Sequence, residues 1–66
     1  MQVLINGVGH ELPDGACVRD ALDALGAPGA GVAVALDSEV VPRAAWARTP
    51  LAEGARIEVL TAVQGG

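Results

Sequence analysis

The residues best suited to chemistry lie at the C-terminal end, where Val63, Gln64, Gly65 and Gly66 follow Ala62. Glycine has no side chain, so two consecutive glycines can enter a channel that is too narrow for other residues. The terminal α-carboxyl group has a reference pKa of about 3.3–3.7, so at neutral pH it is ionised and available as a weak oxygen nucleophile. We expect residues 63–66 to form a flexible tail that a partner protein grips. The alternative is a frayed terminus that happens to end in glycine.

The other reactive residue types are too few and too scattered to form a catalytic site. The chain has one histidine, His10, and one cysteine, Cys17, and its eight acidic residues are dispersed. A metal site would need several such ligands together. Cys17 precedes a predicted helix, where the pKa of a thiol can fall, but the expected role is that of a small, partly buried filler. The sequence therefore predicts that the chain binds no metal and is not itself an enzyme.

The charge balance indicates which class of partner to expect. Four arginines, eight acidic residues and no lysine give a formal net charge of −4. Nucleic-acid binding needs clustered cations, so we expect none, and the acidic balance favours a partner with a basic docking face. The longest apolar run without glycine, Val32 to Leu36, is too short to cross a bilayer. With one cysteine and no signal-peptide pattern, the expected location is the cytoplasm.

The opening residues predict a β-hairpin. Gln2 to Ile5 alternates in polarity and is rich in strand-forming residues, and Asn6-Gly7 follows at once. Asn-Gly is typical of a type I′ turn, which needs a positive φ at both central residues. The second strand is expected from Val8 to Leu12, with His10 half-buried on the face that these residues share.

A single amphipathic helix is expected next. Gly26 suits a left-handed C-cap. Cys17 stands where Ser, Thr or Asp would normally cap the other end, so we expect Asp14 to contribute to the cap from further back. The apolar stripe recurs at helical spacing and consists of Val18, Ala21, Leu22 and Leu25.

The remainder of the chain predicts short strands and turns. In order, these are a buried strand from Val32 to Leu36, a turn at Asp37-Ser38, an edge strand from Glu39 to Val41, a helical turn from Ala44 to Arg48 around a core Trp46, and a last strand from Ile57 to Thr61. One helix can cover only one face of the resulting mixed sheet. The sequence therefore predicts an α+β roll.

Alternation along the strands assigns residues to the two faces of this sheet. Leu4 and Leu60 are expected on the uncovered face, where neighbouring aliphatic side chains would form an interaction surface. Arg43 follows Val-Pro and could bind a carboxylate of a partner, although a solvated arginine fits equally well. Leu4, Leu60 and Arg43 are the predicted docking residues. The inward set consists of Val3, Ile5, Ile57, Val59 and Thr61, beneath Leu22 and Leu25.

Several of these segments share a pattern with one known protein family. They are Glu-Val-Val-Pro-Arg at 39–43 with Trp46 three residues on, Leu51 with Gly54, the run from Ile57 to Val-Gln-Gly-Gly at the end, and the opening Met1-Gln2-Val3 with Asn6-Gly7 and the helix. On these motifs the whole chain resembles the ThiS family, the sulfur carriers of thiamine biosynthesis. The resemblance implies a ubiquitin-like β-grasp roll, an α+β fold with a mixed sheet of four to five strands and one helix packed on one face. It implies a domain over residues 1–62 and a tail over 63–66.

The resemblance also implies a chemistry. A ThiF-type adenylating enzyme would bind the tail and use ATP and Mg²⁺, while this chain would bind no cofactor itself. The Gly66 carboxylate would become an acyl adenylate, a sulfur donor would displace AMP, and the thiocarboxylate would pass its sulfur to thiazole synthase. Residues 62–66, fully extended, span at most about 17 Å, which is a sensible reach into a buried site.

Three other functions remain open on the sequence. The small subunit of molybdopterin synthase shares the fold and the tail, although the Val-Pro-Arg sequence with Trp46 favours thiamine. A ubiquitin-like modifier would join its tail to protein amines. A plain binding module would tolerate the loss of Gly66, which distinguishes it from the carriers.

Overall fold

Six short elements and one α-helix make up the part of the chain that the structure describes. The structure is a computed structural model, and it describes residues 1–27 and 31–61. The elements are β1 (Gln2–Ile5), β2 (Val8–Glu11), α1 (Val18–Leu25), β3 (Val32–Leu36), β4 (Glu39–Val40), a 3₁₀ helix (Arg43–Arg48) and β5 (Arg56–Thr61). The predicted elements are confirmed with small shifts at their ends. In these ranges no helix is long and apolar enough to span a membrane.

The strands form one mixed sheet with the order β2-β1-β5-β3-β4. β1 and β5 are parallel, with Leu4 opposite Arg56 and Ile5 opposite Ile57. All other neighbours are antiparallel. The last strand in sequence therefore lies in the middle of the sheet, between β1 and β3. This arrangement confirms the predicted mixed sheet.

Two hairpins with tight turns flank the central strand. Asn6 and Gly7, which join β1 to β2, have φ angles of 52° and 82°. Asp37 and Ser38, which join β3 to β4, have φ angles of 49° and 73°. Both turns have the positive φ values of a type I′ turn, so the turn predicted at each place is confirmed. Asp37 and Ser38 adopt this conformation without a glycine.

Helix α1 begins and ends as its sequence indicates, with one correction at the N-terminal cap. Gly26 has φ 73° and donates its N–H to the Asp23 carbonyl at 3.1 Å, which is a left-handed C-cap. At the other end, the Cys17 N–H donates to Oδ2 of Asp20 at 2.9 Å. The carboxylate that serves this cap thus comes from inside the helix, in the manner of a capping box. The expectation that Asp14 would do so was wrong, since Asp14 lies beside the amino group of Met1.

One face of the sheet packs against α1 and the 3₁₀ helix. Trp46 is buried, and its Nε1–H donates to the Val41 carbonyl at 3.0 Å, so the predicted core position is confirmed. The buried cluster consists of Val3, Ile5, Leu12, Ala16, Val18, Ala21, Leu22, Val34, Val41, Trp46, Leu51, Ala55, Ile57 and Val59. We call this side of the sheet the covered face and the opposite side the open face.

Three predicted burial positions are corrected by the structure. Leu25 is 40% exposed, because it lies in the last turn of α1, and the buried residues of this helix are all earlier. Thr61 is exposed although alternation places it on the covered face, because it pairs with Val32 at the end of the sheet, outside the buried cluster. The strand from Val32 to Leu36 was predicted to be buried, but it is buried on the covered face only, since Val34 is buried and Ala33 on the open face is exposed.

Candidate functional site at the end of the central strand

The chain leaves the described fold from the middle of the sheet. β5 ends at Thr61, and the predicted functional residues Val63, Gln64, Gly65 and Gly66 lie outside the described residues, as does the predicted boundary at residue 62. Up to Thr61 the strand is paired with β3, with Val59 opposite Val34 and Thr61 opposite Val32. Any segment that continues from Thr61 therefore starts from a paired strand.

An aliphatic patch lies on the open face beside this point. Leu60 is 70% exposed, and it pairs with the exposed Ala33 of β3. Two residues further along β3, Ala35 pairs with Val40 of β4, which is 76% exposed. Directly paired residues project to the same side of a sheet, so Ala33, Ala35, Val40 and Leu60 form one surface. We call these residues the aliphatic patch.

The predicted docking residue Leu4 lies away from this patch. Leu4 is half-buried and pairs with Arg56 on one side and with Gly9 on the other. It lines a shallow groove with Arg56 and Glu58, whereas Leu60 and Ala33 line a separate one. The structure therefore does not bring Leu4 and Leu60 side by side.

The third predicted docking residue, Arg43, belongs to the element that carries the buried Trp46 on the covered face of the sheet. It is exposed at the first position of the 3₁₀ helix, just after Pro42. Val41 donates its N–H to the Val34 carbonyl at 2.8 Å, which ties the segment before Arg43 to β3. Arg43 therefore lies on an element that packs against the covered face, whereas the aliphatic patch lies on the open face.

Sequence reasoning missed Val40, Ala33 and Ala35 as members of this surface. The signal lay in the alternation of Val32 to Leu36, where small alanines occupy every second position. Such alternation is typical of a strand with one open side, but the continuous apolar run was interpreted as fully buried.

The other candidate groups are separate from this surface. Cys17 is a free thiol, partly buried at the start of α1, and its N–H holds the pKa of Asp20 below the ordinary value. His10 is partly buried opposite Val3. Within residues 1–27 and 31–61, no group of three or more His, Cys, Asp or Glu side chains could hold a metal ion.

The amino group of Met1 is held at the other end of the sheet, at the start of β1. It donates to the Leu12 carbonyl at 2.7 Å and to Oε2 of Glu11 at 2.9 Å, with Oδ1 of Asp14 at 3.3 Å. The carboxylate of Glu11, and after it that of Asp14, raises the pKa of this amine. These contacts fasten the first residue to the end of β2.

Comparison with known proteins agrees with this geometry. A family description, the ThiS family, matches residues 3–66. The sulfur carrier protein ThiS of Escherichia coli strain K12 is 32% identical over 66 residues, and the match covers all of both chains. A crystal structure of a thiamine biosynthesis protein, ThiS, from Geobacter metallireducens is 30% identical, with a TM-score of 0.82 and full coverage of both chains.

A solution structure of a thiamine biosynthesis protein from the same organism has a TM-score of 0.79 at 30% identity. That match covers 100% of this chain and 88% of the other. The strand order, the single helix and the family match agree, and they confirm the ubiquitin-like β-grasp fold that the sequence resemblance implied. The chain belongs to the ThiS family, the sulfur carrier proteins of thiamine biosynthesis.

Proposed function

We propose that the Gly66 carboxylate is the group that carries sulfur, as an acyl adenylate first and a thiocarboxylate afterwards. The observation that carries this proposal is the position of β5. The central strand leads directly into Ala62-Val63-Gln64-Gly65-Gly66, and it does so next to the exposed Leu60. A fixed strand whose chain ends in two glycines suits delivery of a carboxylate into another protein's narrow active site.

The proposed chemistry follows from the poor leaving ability of a carboxylate oxygen. A carboxylate oxygen of Gly66 bonds to the α-phosphorus of ATP, and the bond to pyrophosphate breaks. A sulfur donor at the oxidation level of sulfide then bonds to the carbonyl carbon as the bond to AMP breaks. A ThiF-type adenylating enzyme holds the ATP and Mg²⁺, and the thiocarboxylate passes its sulfur to thiazole synthase in the cytoplasm.

The aliphatic patch is the proposed contact surface for the adenylating enzyme. Leu60 and Val40 are large apolar side chains that the fold leaves exposed without using them in its core. Contiguous exposed apolar surface is typical of an interaction site. Arg43, which is exposed just after β4, and Leu4, which lies in the separate groove with Arg56, are further contacts in this proposal.

Changing the length of the tail tests the proposal. Deleting Gly66 leaves a carboxylate on Gly65 that is chemically similar but about 3.3–3.6 Å short of its position. Because catalysis is sensitive to misplacements of about 1 Å, adenylation should fall by about 10²-fold or more. Adding one residue after Gly66 should have the same effect. The measurement is ATP–pyrophosphate exchange with the cognate adenylating enzyme.

Two controls separate the tail from the fold. Thermal unfolding of both length variants should match that of the wild type, because both changes lie after β5. In the wild-type chain, the intact mass after sulfur transfer should rise by the difference between one sulfur and one oxygen atom, and the change should be located at Gly66. Full exchange activity in either length variant, or linkage of Gly66 to amines of other proteins, would contradict the carrier proposal.

A further inference from the structure

The hydrogen bonds between β1 and β5 continue past the end of β1. Leu4 donates its N–H to the Ala55 carbonyl, and Asn6 donates its N–H to the Ile57 carbonyl, each at 2.9 Å. The next carbonyl facing the same way belongs to Val59. By then the chain of β1 has entered the Asn6-Gly7 turn and can supply no backbone partner.

The side chain of Asn6 takes the place of that missing backbone. Its Nδ2 donates to the Val59 carbonyl at 3.2 Å, and its Oδ1 accepts from the Val59 N–H at 2.8 Å. A carboxamide offers an N–H donor and a carbonyl acceptor side by side, as the N–H and C=O of a single residue in a β-strand do. Asn6 thus extends the parallel ladder by one step and holds the strand close to its end at Thr61.

The two turn residues next to β5 hold it at different points. Asp37 donates its N–H to the Arg56 carbonyl at 2.8 Å, and its Oδ1 accepts from the Arg56 N–H at 3.0 Å. Asp37 therefore holds the first residue of β5, whereas Asn6 holds a residue two positions before the last. Among the hydrogen bonds of the described residues, those of Asn6 are the last on the β1 side of the strand.

We propose that Asn6 is a positioning residue that fixes the last residues of β5, and with them the direction in which the chain leaves the sheet at Thr61. The inference rests on the proposed function for its consequence, since a misdirected strand end would present the Gly66 carboxylate poorly to an adenylating enzyme. A loosened end must be ordered when the partner binds, and that ordering weakens binding. The effect should therefore fall on KM for the carrier and leave kcat unchanged.

Paired glycine substitutions test this role. Asn6→Gly keeps the turn, because glycine adopts positive φ and Gly-Gly suits a type I′ turn, but it removes both contacts with Val59. Asp37→Gly makes the same change at the matching position of the other hairpin: it removes the acceptor for the Arg56 N–H and keeps the backbone hydrogen bond to the Arg56 carbonyl. Asn6→Asp keeps the acceptor for the Val59 N–H but lacks the donor for its carbonyl.

Two measurements are made on all of these chains. In ATP–pyrophosphate exchange, Asn6→Gly should raise KM for the carrier about tenfold, the equivalent of one or two ordinary hydrogen bonds. Asn6→Asp should fall between Asn6→Gly and the wild type, and Asp37→Gly should stay within about twofold of the wild type. In amide hydrogen exchange without any enzyme, Leu60 should exchange about tenfold faster in Asn6→Gly than in Asp37→Gly, because Asp37→Gly loosens the start of β5 and leaves the contacts with Val59 in place.

The outcomes separate this inference from the proposed function. Equal protection of Leu60 in the two glycine variants would overturn the role of Asn6, as would equal KM values. If the wild type supports no exchange of pyrophosphate, the proposed function fails, and the protection of Leu60 alone decides whether Asn6 fixes the end of β5.

Discussion

The two faces of the sheet are built from the same strands but differ in burial. On the covered face, Ile57 and Val59 of β5 are buried among the side chains of α1 and the 3₁₀ helix. On the open face, Leu60 of the same strand is largely exposed, beside the alanines of β3 and Val40. Neighbouring residues of one strand therefore differ in burial, and in our proposal the exposed Leu60 contacts a partner, so a substitution on one face should spare the other.

The largest effect is expected on the covered face, at Leu22. Its side chain is 2% exposed in the middle of the apolar stripe of α1. Leu22→Ala should lower the free energy of unfolding by about 2–5 kcal/mol through lost burial and the cavity left behind. Thermal or denaturant unfolding measures this change. Leu25→Ala is the matched control on the same helix and should cost much less, and equal losses would contradict the packing described for α1.

On the open face, Leu60→Asp should leave the fold intact and weaken binding. A charge in the middle of the aliphatic patch would have to be desolvated at an apolar contact, so binding to the adenylating enzyme should weaken at least tenfold. Titration calorimetry measures the affinity, and unfolding measures stability. Val8→Asp is the control, since Val8 is 59% exposed on β2 and belongs neither to the buried cluster nor to the aliphatic patch. Unchanged affinity, or an unfolded chain, would remove Leu60 from the contact surface.

A smaller effect of the same kind is expected at Val40. This residue lies on the edge strand, at the far side of the patch from Leu60. Residues at the rim of an interface contribute less than central ones, so Val40→Asp should weaken binding by about twofold to fivefold. The same titration checks this value. A loss larger than that of Leu60→Asp would move the centre of the contact surface towards β4.

The smallest effect is expected at the solvated cap of α1. The Cys17 N–H holds the pKa of Asp20 below its ordinary value of 3.8. Because the folded pKa is the lower one, this contribution is present above about pH 4 and is lost as the pH falls through the folded pKa. Asp20→Ala should therefore melt below the wild type at pH 7, and the difference should shrink in acid. Asp23→Ala, which loses only an exposed pair with Arg19, is the control. A difference independent of pH would exclude the carboxylate as its source.

Local signals were sufficient to predict most of the elements. Asn6-Gly7 and Gly26 need positive φ angles, and the structure has them at these positions. The stripe from Val18 to Leu25 gave a helix with the predicted ends. These features depend on a few adjacent residues, so they can be inferred without knowing what packs against them.

The remaining features depend on residues that are distant in sequence. The exposure of Leu25 and Thr61 follows from where the core ends, which periodicity does not show. The separation of Leu4 from Leu60 follows from the register of β1 on β5. The contacts between Asn6 and Val59 join residues 53 positions apart, so no local pattern could reveal them. The docking residues and the tail stay predictions.

The central position of β5 has a consequence for how the molecule forms. Its neighbours in the sheet, β1 and β3, both precede it in the sequence and leave the ribosome before it. The pairing of β1 with β5 closes a loop that contains almost the whole chain. Such distant pairings make folding slow, because the entropy of closing the loop is lost before the contacts form. Until β5 has paired, β1 and β3 lack the strand that joins them, and their apolar side chains are exposed. A chain that stops short of Arg56 should therefore be prone to aggregation and proteolysis.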